Sequence, residues 1–261
     1  REFRKAVAIE PSYMGVLNNS VISSFGGEGD WQRAITVLRF VLSIDPSYAP
    51  ARENLAVAFL NYGYDEARNG HLELAIDIYA TAMAIEATVE TRLQIRINLA
   101  SAFTTLGEMA GRNRHFDKSW VWMLKARNFY QSAATMHNLG LAYARQAFAL
   151  WEAGDFSGAV EFFLRAQDIG FINSVVSHGY AVALNSAGRT DEAELAWERA
   201  RALDSQEGTP PKASRSVDLG AMPTAFQHNG NLGTFGQLSP APQNYMTPIV
   251  EIASPVYKVA A

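Results

Sequence analysis

One pattern of side-chain size recurs along residues 1–204 and constrains the fold more than any other feature. A small residue is followed four positions later by a bulky residue and three positions after that by another small residue. Positions three and four apart lie on one helix face, so a second helix can approach the small residues closely. The copies are Ala75–Tyr79–Ala82, Ser119–Met123–Ala126, Ala159–Phe163–Ala166 and Ala193–Trp197–Ala200, with an earlier one at Ala34–Leu38–Val41.

A second helical segment precedes each of the later copies. These segments read Asn54-Leu55-Ala56-x-x-Phe59, Asn98-Leu99-Ala100-x-x-Phe103, Asn138-Leu139-Gly140-x-x-Tyr143 and Tyr180-Ala181-x-x-Leu184. Turn residues separate the paired segments at Gly29-Asp30, Asn69-Gly70, Gly111-Arg112-Asn113, Gly154-Asp155 and Gly188-Arg189. Because glycine and asparagine favour turns, the pattern predicts a series of antiparallel helix hairpins.

With these motifs the chain resembles the tetratricopeptide repeat (TPR) family, whose pattern W-x2-L-G-x2-Y…A-x3-F…P covers about 34 residues. The matching segments are Asn138–Tyr143, Gly154–Ala159, Ile35–Pro46 and Gly188–Ala200. The resemblance implies an all-α solenoid of antiparallel helix hairpins with a concave groove. The predicted divisions are the end of a truncated hairpin at 1–13, five hairpins at 14–46, 47–87, 88–131, 132–171 and 172–204, and a tail at 205–261.

The spacing within three hairpins departs from the family pattern. Leu184 precedes Ala193 by the expected nine residues, whereas Phe59, Phe103 and Tyr143 precede their small residues by sixteen. Seven added residues are close to two helical turns, about 10 Å, and keep the same face buried. Phe59-x-x-Tyr62-Gly63 and Phe103-x-x-Leu106-Gly107 also fit the aromatic-x-x-Leu-Gly motif, so the added turns lie either after or before the motif.

The tail differs from the rest of the chain in composition. Seven of the ten prolines and only six charged residues lie in its 57 positions. A helix cannot persist through that spacing of proline and glycine, so we expect an extended, non-helical segment that is ordered by a groove or by a partner. The apolar anchors predicted in it are Tyr245, Ile249, Ile252, Val256 and Tyr257.

Composition excludes several kinds of chemistry. The chain has no cysteine, which rules out disulfides and thiolate-based metal or nucleophile sites. Its five histidines have no ligand spacing, and the phosphate-binding and nucleophile-elbow motifs are missing, so we expect no enzyme, cofactor or metal. A net charge of −4 argues against nucleic acid as a partner, and no apolar run approaches the length of a membrane-spanning helix.

The strongest candidate site is a row of asparagines at equivalent repeat positions. An asparagine amide donates and accepts, so such a row can hold the backbone of an extended peptide, as the resemblance to TPR proteins with an asparagine ladder implies; packing inside the fold is the alternative. The predicted groove residues are Asn19, Asn54, Asn98 and Asn138, flanked by Ile22, Glu53, Val57, Ile97, Ser101, His137, Leu141 and His178. Because the flanking residues are mostly uncharged, we expect a neutral ligand and not the carboxylate that a lysine/arginine clamp binds.

These observations favour a non-enzymatic scaffold that binds an extended peptide or protein surface, as a subunit of a hetero-complex or a homo-oligomer. Two other readings stay open: a substrate-docking region of an enzyme whose catalytic domain lies elsewhere, and an assembly lipoprotein that resembles TPR pilotins. The chain starts at Arg1, and we expect that the native protein extends upstream. The sequence is compatible with a cytoplasmic or a periplasmic location.

Overall fold

The computed structural model describes Lys5 and residues 12–21, 24–25 and 29–206. In this part of the chain ten bounded α-helices and no β-strand are present, so the predicted all-α fold class is confirmed. The helices are α1 Ser12–Val21, α2 Trp31–Ile44, α3 Ala49–Arg68, α4 Leu72–Met83, α5 Val89–Arg112, α6 Phe116–Phe129, α7 Ala133–Glu152, α8 Phe156–Asp168, α9 Ser174–Ser186 and α10 Thr190–Gln206.

The described residues divide into two compact units, with the boundary between Thr135 and Met136. In the first unit consecutive helices pack pairwise, α1 on α2, α3 on α4 and α5 on α6, and each pair also contacts the next. In the second unit α9 packs on α10 and on α8, while the Phe148 ring of α7 meets the Phe163 ring of α8 edge-on at 4.9 Å. Both units are therefore built from antiparallel helix hairpins.

The small–bulky–small pattern forms the contact between the helices, as predicted. Ala159, Phe163 and Ala166 are fully buried, and Ala75, Tyr79 and Ala82 are at most 1% exposed. The small residues leave room for the neighbouring helix, and close packing of this kind gives protein interiors their density. The hydrophobic core therefore runs between the helices of each pair.

Two glycines lie where the first helix of a hairpin closely approaches the second. A Cβ atom at Gly63 would lie 2.6 Å from the Tyr79 ring, and one at Gly107 would lie 2.9 Å from Met123. The later candidate segments, Phe59 to Gly63 and Phe103 to Gly107, thus lie at the contact between the paired helices. The first helices α3, α5 and α7 have 20, 24 and 20 residues, against 13 for α9.

The hairpin turns use a left-handed residue just before the second helix. Gly29, Gly70, Gly154 and Gly188 have φ between 73° and 86°, a region that glycine enters at no steric cost. In the third hairpin the predicted turn at Gly111-Arg112-Asn113 is wrong, because α5 continues to Arg112. The left-handed residue there is Arg114, with φ 60°, which carries a Cβ and is strained for that reason.

Two predicted boundaries shift. Helix α1 begins at Ser12, two residues before the predicted start of the first hairpin. Helix α10 ends at Gln206, so Ser205 and Gln206, assigned above to the tail, are helical. Residues 207–261, with the five predicted tail anchors, lie outside the described residues, as does Ile22.

Candidate functional site

The first pair of asparagines bridges two hairpins. Asn54 on α3 donates from Nδ2 to Oδ1 of Asn18 on α1 across 3.0 Å. Both residues are buried, with Asn18 fully enclosed and Asn54 4% exposed. The asparagine of α1 that bonds to Asn54 is therefore Asn18, whereas the predicted groove residue Asn19 is exposed on α1. Neighbouring residues on a helix point about 100° apart, so Asn18 faces the interior while Asn19 faces solvent.

Asn98 is also used inside the fold. Its Oδ1 accepts a hydrogen bond from Gln94 Nε2 one turn earlier at 3.1 Å, and the residue is 3% exposed. Asn98 Nδ2 is buried and has no hydrogen-bond partner among the described residues. Burial raises the pKa of Tyr79, and the Asn98 amide acts in the opposite direction. Both amides are buried in this conformation, which favours the packing alternative for Asn54 and Asn98.

Glu53 holds the start of the next hairpin. Its carboxylate accepts from the Thr88 backbone N–H at 2.6 Å, from Thr88 Oγ1 at 2.9 Å and from Thr91 Oγ1 at 2.5 Å. Helix α5 starts at Val89, so a carboxylate lies at its N-terminus, where the unpaired N–H groups and the helix dipole favour negative charge. Sequence reasoning missed this role because Glu53 and Thr88 are 35 residues apart.

Helix α5 carries two of the predicted groove residues that stay accessible in the first unit. Ile97 and Ser101 are half-buried, and Val89 and Leu93 precede them at spacings of four. Val89 is 76% exposed and Leu93 is 44% exposed. We call Val89, Leu93, Ile97 and Ser101 the α5 stripe. Sequence reasoning missed Val89 and Leu93, although the four-residue spacing signals them. Val57, another predicted groove residue of this unit, is buried at 5% exposure.

The α5 stripe contains no charged side chain. The nearest cations on the helix are Arg92 and Arg96, both exposed. Arg96 donates from Nε to the backbone carbonyl of Phe129 at 2.8 Å, so it is held toward the end of α6. The stripe thus offers apolar area and one hydroxyl to a partner and lacks the cations with which a carboxylate is bound.

In the second unit His137, Asn138 and Leu141 are half-buried on α7. The His137 ring meets the Phe171 ring edge-on at 5.2 Å. Burial lowers the pKa of His137, because removing the ring from water disfavours the charged form. His137 is therefore partly a packing residue, whereas Asn138 and Leu141 keep accessible surface.

His178 belongs to a buried polar network. Its Nε2 lies 2.8 Å from Oδ2 of Asp204, and Ser174 Oγ donates to Oδ1 of the same carboxylate. Asp204 is 2% exposed, and the His178 ring stacks obliquely on Trp197 at 5.2 Å. Serine and histidine both contact the same aspartate. It ties the end of α10 to α9.

Neither a metal site nor a membrane span emerges from the described residues. No group of three histidine or acidic side chains converges there. None of the described helices combines the length and the apolar character that crossing a bilayer requires.

The fold and its site define a class: the chain is an all-α protein of TPR-type helix hairpins, in which small residues and a bulky side chain form each helix contact. No protein-family model and no curated protein matches it.

Several solved structures resemble it at low similarity. BtubC (BKLC) from P. vanneervenii is 17% identical over 83% of this chain and 91% of its own, with a TM-score of 0.33. MamA AMB-1 is 17% identical over 82% of this chain and 100% of its own, with a TM-score of 0.29. PilF of Pseudomonas aeruginosa is 17% identical over 91% of this chain and 99% of its own, with a TM-score of 0.30.

Proposed function

We propose that the chain is a non-enzymatic protein-interaction scaffold that binds an extended, mainly uncharged segment of a partner protein along the α5 stripe. The observation that carries the proposal is the exposure of Val89 and Leu93, 76% and 44%, in line with Ile97 and Ser101. Four positions at spacings of four cover three helical turns, about 18 Å at the helical rise. That length matches about five residues of an extended peptide.

Apolar contact supplies the affinity in this proposal. Fully burying a Val or Leu side chain contributes about 1.5–3 kcal/mol, and the exposed fractions of Val89 and Leu93 are what a ligand would cover. The Ser101 hydroxyl can bond to the ligand backbone. Glu53 and Asn54 hydrogen-bond within the fold, and Asn98 Oδ1 accepts from Gln94.

The second unit adds a separate contact to the proposal. Asn138 and Leu141 are half-buried on one face of α7, which places an amide beside an apolar side chain. The Asn138 amide would bond to a peptide group of the ligand, and Leu141 would cover an apolar side chain next to it. This is the part of the predicted asparagine row that we keep as a ligand contact.

A matched pair of variants tests the α5 stripe. Ligands would be selected from displayed peptide libraries with the wild-type chain, and their affinities measured by fluorescence anisotropy. Val89→Asp/Leu93→Asp should weaken binding at least about tenfold, as expected for the loss of one buried apolar side chain. Leu74→Asp on α4 is the control, because Leu74 has the same 44% exposure as Leu93 but lies outside the stripe.

The outcomes separate the α5 stripe from other surfaces. Equal weakening by Leu74→Asp would show a general effect of added charge. Unchanged binding in Val89→Asp/Leu93→Asp would reject the stripe as the ligand site. For the second unit, Asn138→Ala should weaken binding about two- to tenfold, the range of one hydrogen bond, while circular dichroism shows unchanged helicity.

A further inference from the structure

A groove of about 300 Å³ lies in the second unit beside the end of α10. Its walls include Ile172, Tyr180 and Leu203, with Gln167 and Ser177 as polar neighbours and Arg199 as the one charged lining residue. We call it the α9–α10 groove. Ile172 is 54% exposed, so a large apolar side chain faces solvent at its edge. The volume lies at the lower end of the range of ligand and peptide pockets.

The charge in this groove has no partner within the described fold. Arg199 is exposed and makes no ion pair with another described residue. Burial raises the pKa of Tyr180, while the nearby Arg189 and Arg199 cations act in the opposite direction and Glu192 adds to the rise. Arg189 is paired with Glu192, so the neutral phenol leaves Arg199 without a counter-charge in the groove. An apolar wall with one unpaired guanidinium is complementary to an apolar segment that carries one carboxylate.

We infer that the segment Val217-Asp218-Leu219 of this chain docks in the α9–α10 groove, with the Asp218 carboxylate paired to Arg199. Between positions 207 and 249 the only acidic residues are Glu207 and Asp218. Glu207 lies between Gln206 and Gly208, whereas Asp218 has an apolar residue on each side. Asp218 is thus the one acid of that stretch that brings apolar side chains with it.

The chain between the end of α10 and Val217 is long enough to reach the groove. Leu203 lines the groove and lies three residues before the end of α10. Ten residues separate Gln206 from Val217, and they can span up to about 35 Å when extended.

The similar segment Val250-Glu251-Ile252 follows 43 intervening residues. Loop closure scales with the 3/2 power of length, so the shorter connection is favoured about ninefold. The inference concerns contacts within the second unit and does not depend on ligand binding at the α5 stripe.

Hydrogen exchange with mass spectrometry on the full chain tests the inference through amides 216–222. In the wild-type chain these amides should exchange more slowly than their sequence alone dictates. Arg199→Asp and Asp218→Arg should each speed that exchange about three- to tenfold, since an attraction at a partly exposed site becomes a repulsion. The double variant Arg199→Asp/Asp218→Arg should restore the protection, and Glu251→Arg should leave it unchanged.

Further measurements keep the assignment falsifiable. Exchange in α10 reports whether the Arg199 variants still fold, and Arg199→Lys should retain most of the protection. The protection should be the same at about 2 µM and about 100 µM protein, because a contact within one chain does not depend on concentration. Sedimentation should show a monomer. Unprotected wild-type amides, single variants without effect, or a loss of protection in Glu251→Arg would each overturn the inference. Protection that rises with concentration would assign the groove to a second copy and overturn it as well.

Discussion

Asn54 and Asn18 join the first helices of two successive hairpins through one side-chain hydrogen bond of 3.0 Å, with both residues buried. Asn18 passes the bond on, because its own Nδ2 donates to Asn19 Oδ1 at 3.2 Å. A buried amide can form this hydrogen bond only if the two helices keep their relative position. The pair therefore fixes the register between α1 and α3.

The first prediction follows from this pair. Asn54→Ala should lower the free energy of unfolding by about 1–3 kcal/mol, because it leaves the buried Asn18 carbonyl oxygen unpaired. The double variant Asn18→Leu/Asn54→Leu should lose less stability than the sum of the losses in Asn18→Leu and Asn54→Leu, since neither polar group is then left without its partner. Urea denaturation of the wild type, these two single variants and the double variant gives the coupling energy. Additive losses would mean that the two amides act independently.

Glu53 provides the second prediction. Glu53→Ala should destabilise the chain by about 1–2 kcal/mol, the range for removing a helix cap, and should speed hydrogen exchange in the first turn of α5. Glu90→Ala is the control, because Glu90 lies in that same first turn and is exposed. If both variants speed exchange equally, the effect comes from net charge near the helix end and not from the contacts of Glu53 with Thr88 and Thr91.

The third prediction concerns Arg114 in the third hairpin turn. Arg114→Gly should raise the free energy of unfolding by about 1 kcal/mol, because glycine removes the steric cost of a Cβ at positive φ. The reverse change at the equivalent position, Gly70→Ala, should destabilise, since Gly70 has φ 86°. Thermal unfolding measures both. A loss of stability in Arg114→Gly would show that the arginine side chain makes contacts worth more than the strain.

Two alanines of α4 supply the fourth prediction. Ala82 is fully buried, whereas Ala80 in the same helix is exposed. Ala82→Leu should cost about 1–3 kcal/mol by overpacking the contact between helices, and Ala80→Leu should stay within about 0.5 kcal/mol of wild type. Denaturant midpoints measure the stability of both variants. Similar values for the two variants would mean that the helix contact adapts to an added side chain.

The fifth prediction is a pH dependence in the second unit. Burial lowers the pKa of His137, so the folded state binds a proton less readily than the unfolded state, whose histidine titrates near 6.5. Above that value the histidine is neutral in both states and stability is at its full value. As the pH falls toward the folded pKa, proton binding by the unfolded state lowers the free energy of unfolding. Stability should therefore decline with acidification below about pH 6.5.

The matching variant isolates this histidine. In His137→Asn the decline below about pH 6.5 should be shallower than in wild type. His115→Asn, which changes an exposed histidine, should retain the wild-type slope. Urea denaturation at a series of pH values gives both slopes. An unchanged slope in His137→Asn would assign the acid sensitivity to other groups.

Much of the fold was predictable because local periodicity encodes it. The recurrence of Ala75, Tyr79 and Ala82 at helical spacing predicted which faces meet, and these residues are buried. The glycines that precede the second helices predicted the turns, apart from the third hairpin, where Arg114 adopts the left-handed conformation. Such signals lie within a few residues of one another, so a sequence displays them directly.

The sequence by itself determined the helix hairpins and the neutral character of the candidate groove, because both depend on residue type and short spacing. Only the tertiary structure decided which polar side chains stay available. Asn54 meets Asn18 across 36 positions, Glu53 meets Thr88 across 35, and His178 meets Asp204 across 26. These contacts arise where separate helices pack, and the hydrogen-bonding needs of a buried polar group are met by partners that no local pattern reveals.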